Sequence, residues 1–150
     1  MVKKIRIGVI PAAGKGLRMS GLRYTRILPK PMLPILNKPI LEYVLDNLIQ
    51  LDVEEVYIII GQGDKITRRY FGDGSDWGIK INYITQRRPK GIGHAISLLN
   101  DLISEPFYVI LGDDITQASN LRQINRVFWS TKAYAVQAVI EEKTIERIKN

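Results

Sequence analysis

The chain has no cysteine, only one histidine and no long apolar run among its 150 residues. The absence of cysteine excludes disulfides, a thiolate nucleophile and a cysteine-liganded zinc site, and it fits a reducing cytoplasm. No apolar stretch approaches the ~20 residues of a membrane-spanning helix, so no membrane partner is expected. The N-terminal segment MVKKIRIGVI leads from a short apolar run into a glycine turn, which favours a first strand over a signal peptide.

Positive charge is in excess, since 22 Lys and Arg stand against 15 Asp and Glu, and most of that excess precedes residue 90. A basic half favours a phosphate-bearing partner, either a nucleotide or a nucleic acid, although any single cation is as readily explained as surface charge. Single-strand binders interleave aromatic residues with their cations, whereas Tyr24 is the only aromatic residue between Pro11 and Ile40. No nucleic-acid partner is therefore expected.

Segments with the periodicity of strands alternate along the chain with segments of helical periodicity. The predicted strands cover residues 5–10, 53–61, 79–86, 106–114 and 133–140, and the predicted helices cover residues 39–51, 64–71, 91–103 and 119–130, with a last helix beginning within 143–150. This alternation predicts an α/β fold: a Rossmann-like, doubly wound, mainly parallel sheet with helices on both faces. No linker or repeat divides the chain, so we expect a single domain over residues 1–150.

Three loops with unusual composition each follow a predicted strand. They cover residues 11–29, 86–93 and 112–114. Ligands of doubly wound sheets bind outside the carboxyl ends of the strands, so these three loops are the candidate site.

The first loop combines glycines with cations. Gly14 and Gly16 would let backbone amides approach phosphate oxygens, Arg18 offers a bidentate fork, and Lys30 offers a point charge. The spacing matches neither a Walker A motif nor the dinucleotide motif. Taken alone, the glycines are explained equally well by a tight strand-to-helix turn.

Polar residues also end the other two predicted strands. Asp113 and Asp114 are suited to Mg²⁺, although an Asx turn is the commoner use of aspartate after a strand. Gln86 carries both a donor and an acceptor for a base edge, and Gly91 would permit close approach. His94 falls in the first turn of an amphipathic helix, where packing or capping is expected rather than acid–base catalysis.

Together these residues resemble the signature of the sugar-phosphate nucleotidyltransferases. The matching segments are Gly16-Leu17-Arg18, Pro29-Lys30-Pro31-Met32-Leu33-Pro34, Lys38-Pro39, Gln86 with Pro89 and Gly91, and Gly112-Asp113-Asp114. Their order and approximate spacing match across residues 5–140. The likeness is greatest to the uridylyl- and thymidylyltransferase branches. Because members of the family run well beyond 150 residues, the resemblance implies a domain that lacks the family's later half.

The resemblance also implies roles for individual residues. Ala13 and Gly14 would line the base pocket, and Gln86 with Gly91 would read a pyrimidine. Arg18 would hold the leaving pyrophosphate, Lys30 would neutralise the α-phosphate region, and Asp113 would ligate Mg²⁺. Gly16 and Pro89 belong to the same nucleotide-binding segments.

Two functions from different classes follow from these observations. The first is an enzyme that transfers a uridylyl or thymidylyl group from UTP or dTTP to a sugar-1-phosphate, with glucose-1-phosphate preferred to N-acetylglucosamine-1-phosphate, and releases pyrophosphate. The second is a nucleotide-binding module without turnover. The sequence does not determine the oligomeric state, and a homo-oligomer is compatible with it.

Overall fold

A computed structural model describes residues 3–14 and 28–139. Strands and helices alternate along the chain in the order β1 (Ile7–Pro11), β2 (Pro34–Ile35), β3 (Lys38–Pro39), α1 (Ile40–Gln50), β4 (Glu55–Gly61), α2 (Lys65–Phe71), β5 (Lys80–Gln86), α3 (Ile92–Ser97), β6 (Phe107–Val109) and α4 (Gln123–Ser130). Single turns of 3-10 helix cover Lys30–Met32 and Ser75–Trp77. No helix within the described ranges is both long and apolar enough to cross a membrane.

The main sheet contains four parallel strands in the order β5-β4-β1-β6. The chain adds β4 and then β5 on one side of β1 before it returns to the other side as β6. The direction of winding therefore reverses between β1 and β6, and this reversal is the topological switch point at which such sheets bind ligands. Since all four strands are parallel, their carboxyl ends lie along one edge.

Helices cover both faces of this sheet, as neighbouring residues of β1 show. Gly8 faces α1 so closely that a Cβ on Gly8 would lie 2.7 Å from Leu48 Cδ1. Val9 packs instead with Ala95 and Leu99, at and just beyond α3. Successive residues of a strand point to opposite faces, so α1 and α3 lie on opposite sides. The predicted doubly wound parallel fold is confirmed.

Burial on two sides explains the nearly continuous apolar sequences of the central strands. The side chains of Val9 and Ile10 in β1 and of Val56, Ile58 and Ile59 in β4 are fully buried. The predicted strands at residues 5–10 and 53–61 therefore correspond to β1 and β4, with boundaries that differ by one or two residues.

A two-residue hairpin, β2–β3, precedes α1 and was not predicted. Its turn residues, Leu36 and Asn37, have φ angles of 47° and 73°. Two-residue hairpin turns usually contain a glycine, which is the signal by which they are predicted from sequence, and this turn has none. Helix α1 begins after Pro39, one residue later than predicted, and Pro39 makes no side-chain capping hydrogen bond.

Two predicted elements are shorter in the structure. The helix predicted at 91–103 ends at Ser97, and tighter turns continue after it. Leu99, in these turns, is still buried, whereas Ile92 at the start of the helix is exposed. The strand predicted at 106–114 retains strand pairing only over Phe107–Val109, although Ile110 still donates to Val9 O at 3.1 Å.

The predicted strand at 133–140 is wrong over its described part. Residues 133–139 form no strand there, and Tyr134 is fully exposed. The alternating sequence is typical of a strand, but a strand also requires a neighbour to pair with, and no described strand supplies one. The helix predicted within 143–150 lies outside the described residues.

The chain divides into two compact units. One, Ile5–Ala118, contains the sheet, and the other combines Met1–Lys4 with Ser119–Asn150. Within the described part of the second unit, Asn125 Nδ2 donates to Lys3 O at 3.3 Å, and Lys3 Nζ lies 4.7 Å from the centroid of the Trp129 ring. Helix α4 begins at Gln123, four residues later than predicted. The single-domain organisation over residues 1–150 stays a prediction.

The close contact between β1 and α1 can be tested by a double-mutant cycle. Gly8→Ala is expected to lower the free energy of unfolding by ~1–3 kcal/mol through overpacking against Leu48. Leu48→Ala is expected to cost ~2–5 kcal/mol through the cavity it leaves. The double variant should lose less than the sum, because the second change vacates the space that the new methyl group enters.

Urea denaturation measures all three variants. Gly61→Ala, at the end of β4, is the matched control, since a Cβ there would have nothing within 4 Å. Strict additivity of the two free-energy losses would contradict the contact.

Candidate functional site

The loops that follow β1 and β6 are each hydrogen-bonded to the sheet, and they approach one another closely. Ala12 N donates to Ile59 O at 2.8 Å, and Gly112 N donates to Pro11 O at 3.0 Å. A Cβ on Gly112 would lie 2.9 Å from Ala12 Cβ, so a glycine is required for this approach. The loop that carries Asp113 is thereby held against the loop that leads to Ala13 and Gly14.

Lys30 and Asp113, 83 positions apart in the chain, form an ion pair at this edge. Lys30 Nζ donates to Asp113 Oδ2 at 2.5 Å, and about a third of each side chain remains exposed, 32% and 36% respectively. Two residues that the sequence assigned separately, one to phosphate and one to metal, therefore meet at the topological switch point. Solvent exposure leaves both groups accessible to a charged ligand.

The backbone around Lys30 is anchored by its neighbours. Pro31 and Met32 are buried, and Met32 N donates to Pro29 O at 2.8 Å in the 3-10 turn. Proline restricts φ, and buried flanking side chains fix the turn against the sheet unit. The lysine thus projects from a rigid support rather than from a free loop.

Lys38, the second lysine of the family-like segment, has a different role. Its ammonium group forms ion pairs with Asp46 and with Glu42, the latter at 3.8 Å, and lies 4.3 Å from the centroid of the Tyr43 ring. The hydrogen bond to Asp46 is the main cause that raises the pKa of Lys38 above its ordinary value. Tyr43 also donates to Ile35 O at 2.8 Å, so these contacts fasten the hairpin to α1.

Gln86 ends β5 as a buried amide, with 4% of its surface exposed. Its Nε2 lies 2.8 Å from His94 Nδ1 and 3.3 Å from Gly91 O. The helix cap is Gly91, so His94 does not cap α3, and its partner is instead the predicted base-reading residue. The sequence did not indicate this contact, because the two residues meet only through the turn between β5 and α3.

Gly91 is required for its backbone conformation rather than for close packing. Its φ is 92°, in the region that favours glycine, while a Cβ there would have nothing within 4 Å. Pro89 and the cations Arg87, Arg88 and Lys90 are exposed in the same loop. With only six residues, α3 is too short to provide a helix-terminus anion site of its own.

Asp113 is the described carboxylate best suited to a divalent cation. Within residues 3–14 and 28–139, no three His, Asp or Glu side chains cluster closely enough to hold a metal ion by themselves. One exposed carboxylate, with Asp114 next in the chain, fits Mg²⁺, which commonly takes one or two protein carboxylates and completes its coordination with water and substrate phosphate.

The remaining predicted site residues belong to the loop that follows β1. Ala13 is half-buried and Gly14 is exposed after β1, and a Cβ on Gly14 would meet nothing within 4 Å. Gly16 and Arg18 lie outside the described residues. Their assignment to the nucleotide therefore stays a prediction.

Comparison with known proteins matches residues 7–147 to the family model of nucleotidyl transferases. The UTP–glucose-1-phosphate uridylyltransferase of Bacillus subtilis is 34% identical over 169 aligned positions, which cover 95% of this chain and 57% of that enzyme. A structure assigned as a glucose-1-phosphate thymidylyltransferase from Bacillus anthracis, solved with sucrose, gives a TM-score of 0.77 at 28% identity over 85% of this chain and 51% of that one.

A UDP-glucose pyrophosphorylase solved with UDP-glucose is similar as well. Its TM-score is 0.71 at 30% identity, and the match covers 83% of this chain and 53% of that one. The chain thus spans little more than half the length of the relatives that it matches.

The structural role of Lys38 can be tested through its pH dependence. Lys38→Met is expected to lower the free energy of unfolding by less than ~1 kcal/mol at neutral pH, because it removes partly exposed ion pairs. A raised folded-state pKa means that the stabilisation is complete below the ordinary value of 10.5 and is lost as the pH rises through the folded-state value.

Urea midpoints of the wild type and Lys38→Met should therefore differ at neutral pH and converge in alkali. Lys132→Met is the control, since Lys132 is exposed and forms no ion pair within the described part of the chain. A difference that persists unchanged in alkali would contradict an electrostatic origin.

Proposed function

Because the chain belongs to the nucleotidyl transferase family, we propose that it binds a pyrimidine nucleoside triphosphate along the carboxyl edge of its sheet. The reaction that it serves is transfer of a uridylyl or thymidylyl group from UTP or dTTP to a sugar-1-phosphate, with release of pyrophosphate. Glucose-1-phosphate is the proposed acceptor, in line with the names of the uridylyltransferase and thymidylyltransferase relatives.

The observation that carries this proposal is the Lys30–Asp113 pair at the switch point. A lysine and an aspartate in contact, both partly exposed, provide an anion-binding group and a metal-binding group within one small region. The close approach of Gly112 to Ala12 places the backbone of the first loop beside them. A triphosphate with its metal needs this combination of charges.

The base would lie at the other end of the same edge, near Gln86. In the order β5-β4-β1-β6, three spacings of about 4.8 Å separate β5 from β6, which gives roughly 14 Å. An extended nucleotide can therefore place its base at β5 and its phosphates between β1 and β6. Gly91, whose φ is 92°, puts no side chain next to the Gln86 amide.

Phosphoryl-group chemistry of this kind depends on positioning and charge rather than on a covalent side-chain nucleophile. Mg²⁺, when bound, would offset charge on the phosphate oxygens. Asp113 would hold it, and Lys30, released from Asp113 by the incoming ligands, would stabilise negative charge at the α-phosphate as the sugar-phosphate oxygen attacks in line. Arg18 is proposed to bind the departing pyrophosphate.

A second candidate is nucleotide binding without turnover. The observation in its favour is the length of the match, since 57% of the uridylyltransferase relative is covered. Pyrophosphate release from UTP and glucose-1-phosphate separates the two candidates. Release that is lost in Asp113→Asn supports transfer, whereas nucleotide binding without release supports the binding module.

Nucleotide binding is the first expected outcome. UTP or dTTP with Mg²⁺ should raise the melting temperature, because a ligand at 100 times its Kd adds ~2.7 kcal/mol to the stability of the native state. Differential scanning fluorimetry at millimolar nucleotide measures the shift. If no nucleoside triphosphate shifts the melt, the proposed site is wrong.

Two lysine variants sharpen that experiment. Lys30→Met should weaken the UTP-dependent shift while changing the unfolding free energy by less than ~1 kcal/mol, because exposed ion pairs contribute little to stability. Lys38→Met, at a similarly small cost in stability, should leave the nucleotide affinity nearly unchanged. The idea fails if both variants lose nucleotide binding equally, or if only Lys38→Met loses it.

A further inference from the structure

The Gln86 carboxamide is held in one orientation by its two neighbours. Both contacts involve Nε2, which can only donate, and both partners must therefore accept. Gly91 O is a carbonyl and always accepts. His94 Nδ1 accepts only when its ring is neutral and carries the proton on Nε2.

His94 makes the stronger of the two contacts. Its 2.8 Å separation from Gln86 Nε2 lies within the usual range for N–H donors, whereas the 3.3 Å separation to Gly91 O lies beyond that range. Because Gln86 is buried, turning the amide over would place its oxygen against the Gly91 carbonyl, which can only accept, and would require His94 to carry its ring proton on Nδ1. The tautomer of His94, together with Gly91 O, therefore fixes which end of the amide remains for a ligand.

We propose that His94 is a positioning residue for base selection: by accepting from Gln86 Nε2, it leaves the carboxamide oxygen as the acceptor offered to the base. This inference rests on the proposed function. Uracil and thymine carry a proton on ring nitrogen N3 and can donate to that oxygen. Cytosine has an unprotonated N3 at the same position, so acceptor would face acceptor.

The expected preference for UTP over CTP depends on one hydrogen bond to the Gln86 oxygen, which uracil can make and cytosine N3 cannot. An unpaired buried acceptor costs enough to change an equilibrium constant by about tenfold or more. The wild type is therefore expected to bind UTP at least about tenfold more tightly than CTP. Without His94, only the longer contact to Gly91 O holds the amide. The amide then turns over more readily, and the difference in affinity between the two nucleotides should shrink.

Two substitutions separate positioning from packing. His94→Leu fills a similar volume but removes the acceptor, whereas His94→Asn retains a carbonyl oxygen near the position of Nδ1. Titration calorimetry with UTP and CTP should show that His94→Leu brings the two affinities within about threefold. His94→Asn should keep most of the discrimination, and urea midpoints establish that both variants are folded.

The geometry has a second readout that needs no nucleotide. His94 is the only histidine in the chain, so a long-range proton–nitrogen correlation spectrum reports its ring without ambiguity. We expect the proton on Nε2 and an unprotonated Nδ1 in the neutral ring. The Nδ1 resonance should move in Gln86→Leu, which removes its donor.

The outcomes distinguish the inference from the proposed function. Normal UTP binding with full discrimination in His94→Leu overturns the inference alone, as does a proton on Nδ1. Absence of any pyrimidine nucleotide binding by the wild type overturns the proposed function and, with it, the base selection. Loss of discrimination in His94→Leu and its retention in His94→Asn, with the expected tautomer, support the inference.

Discussion

Strand β1 is hydrogen-bonded to a parallel strand on each side, and the arrangement of the site depends on this pairing. Ile7 is level with Glu55 of β4 and with Phe107 of β6, so the three strands run in register toward one edge. Beyond the strand ends, Ala12 N donates to Ile59 O and Gly112 N donates to Pro11 O. These hydrogen bonds extend the alignment of the strands into the loops. A shift of either partner by one residue would turn the loop residues toward the opposite faces.

Charge is used in two ways in the basic part of the chain. Lys30 is paired with an aspartate at the sheet edge, where both groups stay partly exposed and can exchange partners. Lys38 is surrounded by Asp46, Glu42 and the Tyr43 ring and fastens the hairpin to α1. The β2–β3 hairpin, which lies next to Lys30 in the chain, is therefore held in place by Lys38. This support helps to keep the segment that carries Lys30 rigid.

Elements with strong local signals could be predicted from sequence. The buried strands β1 and β4 are continuous apolar runs, and α1 repeats apolar residues with helical spacing, so local pattern and tertiary burial agree. The loops at Gln86 and Asp113 could also be predicted, because polar residues end the predicted strands at 79–86 and 106–114. The family resemblance could be seen at the same level, since its segments are short and ordered along the chain.

Features that depend on tertiary contacts could not be predicted in this way. The Leu36-Asn37 turn has no glycine to reveal it, and the alternating residues 133–139 pair with no described strand. The contact between Gln86 and His94 depends on a turn that only the backbone at Gly91 defines. The need for glycine at position 112 arises from its contact with Ala12, which the sequence does not show.

The central claim is that the ends of β1, β5 and β6 form one nucleotide site. An amide chemical-shift titration with UTP and Mg²⁺ tests it most directly, because each loop supplies its own reporters. The amide signals of Gly14, Gly91 and Asp113 are expected to shift together along a single saturation curve with one Kd. Shifts confined to one of these loops, or distinct Kd values for the β5 and β6 ends, would contradict it.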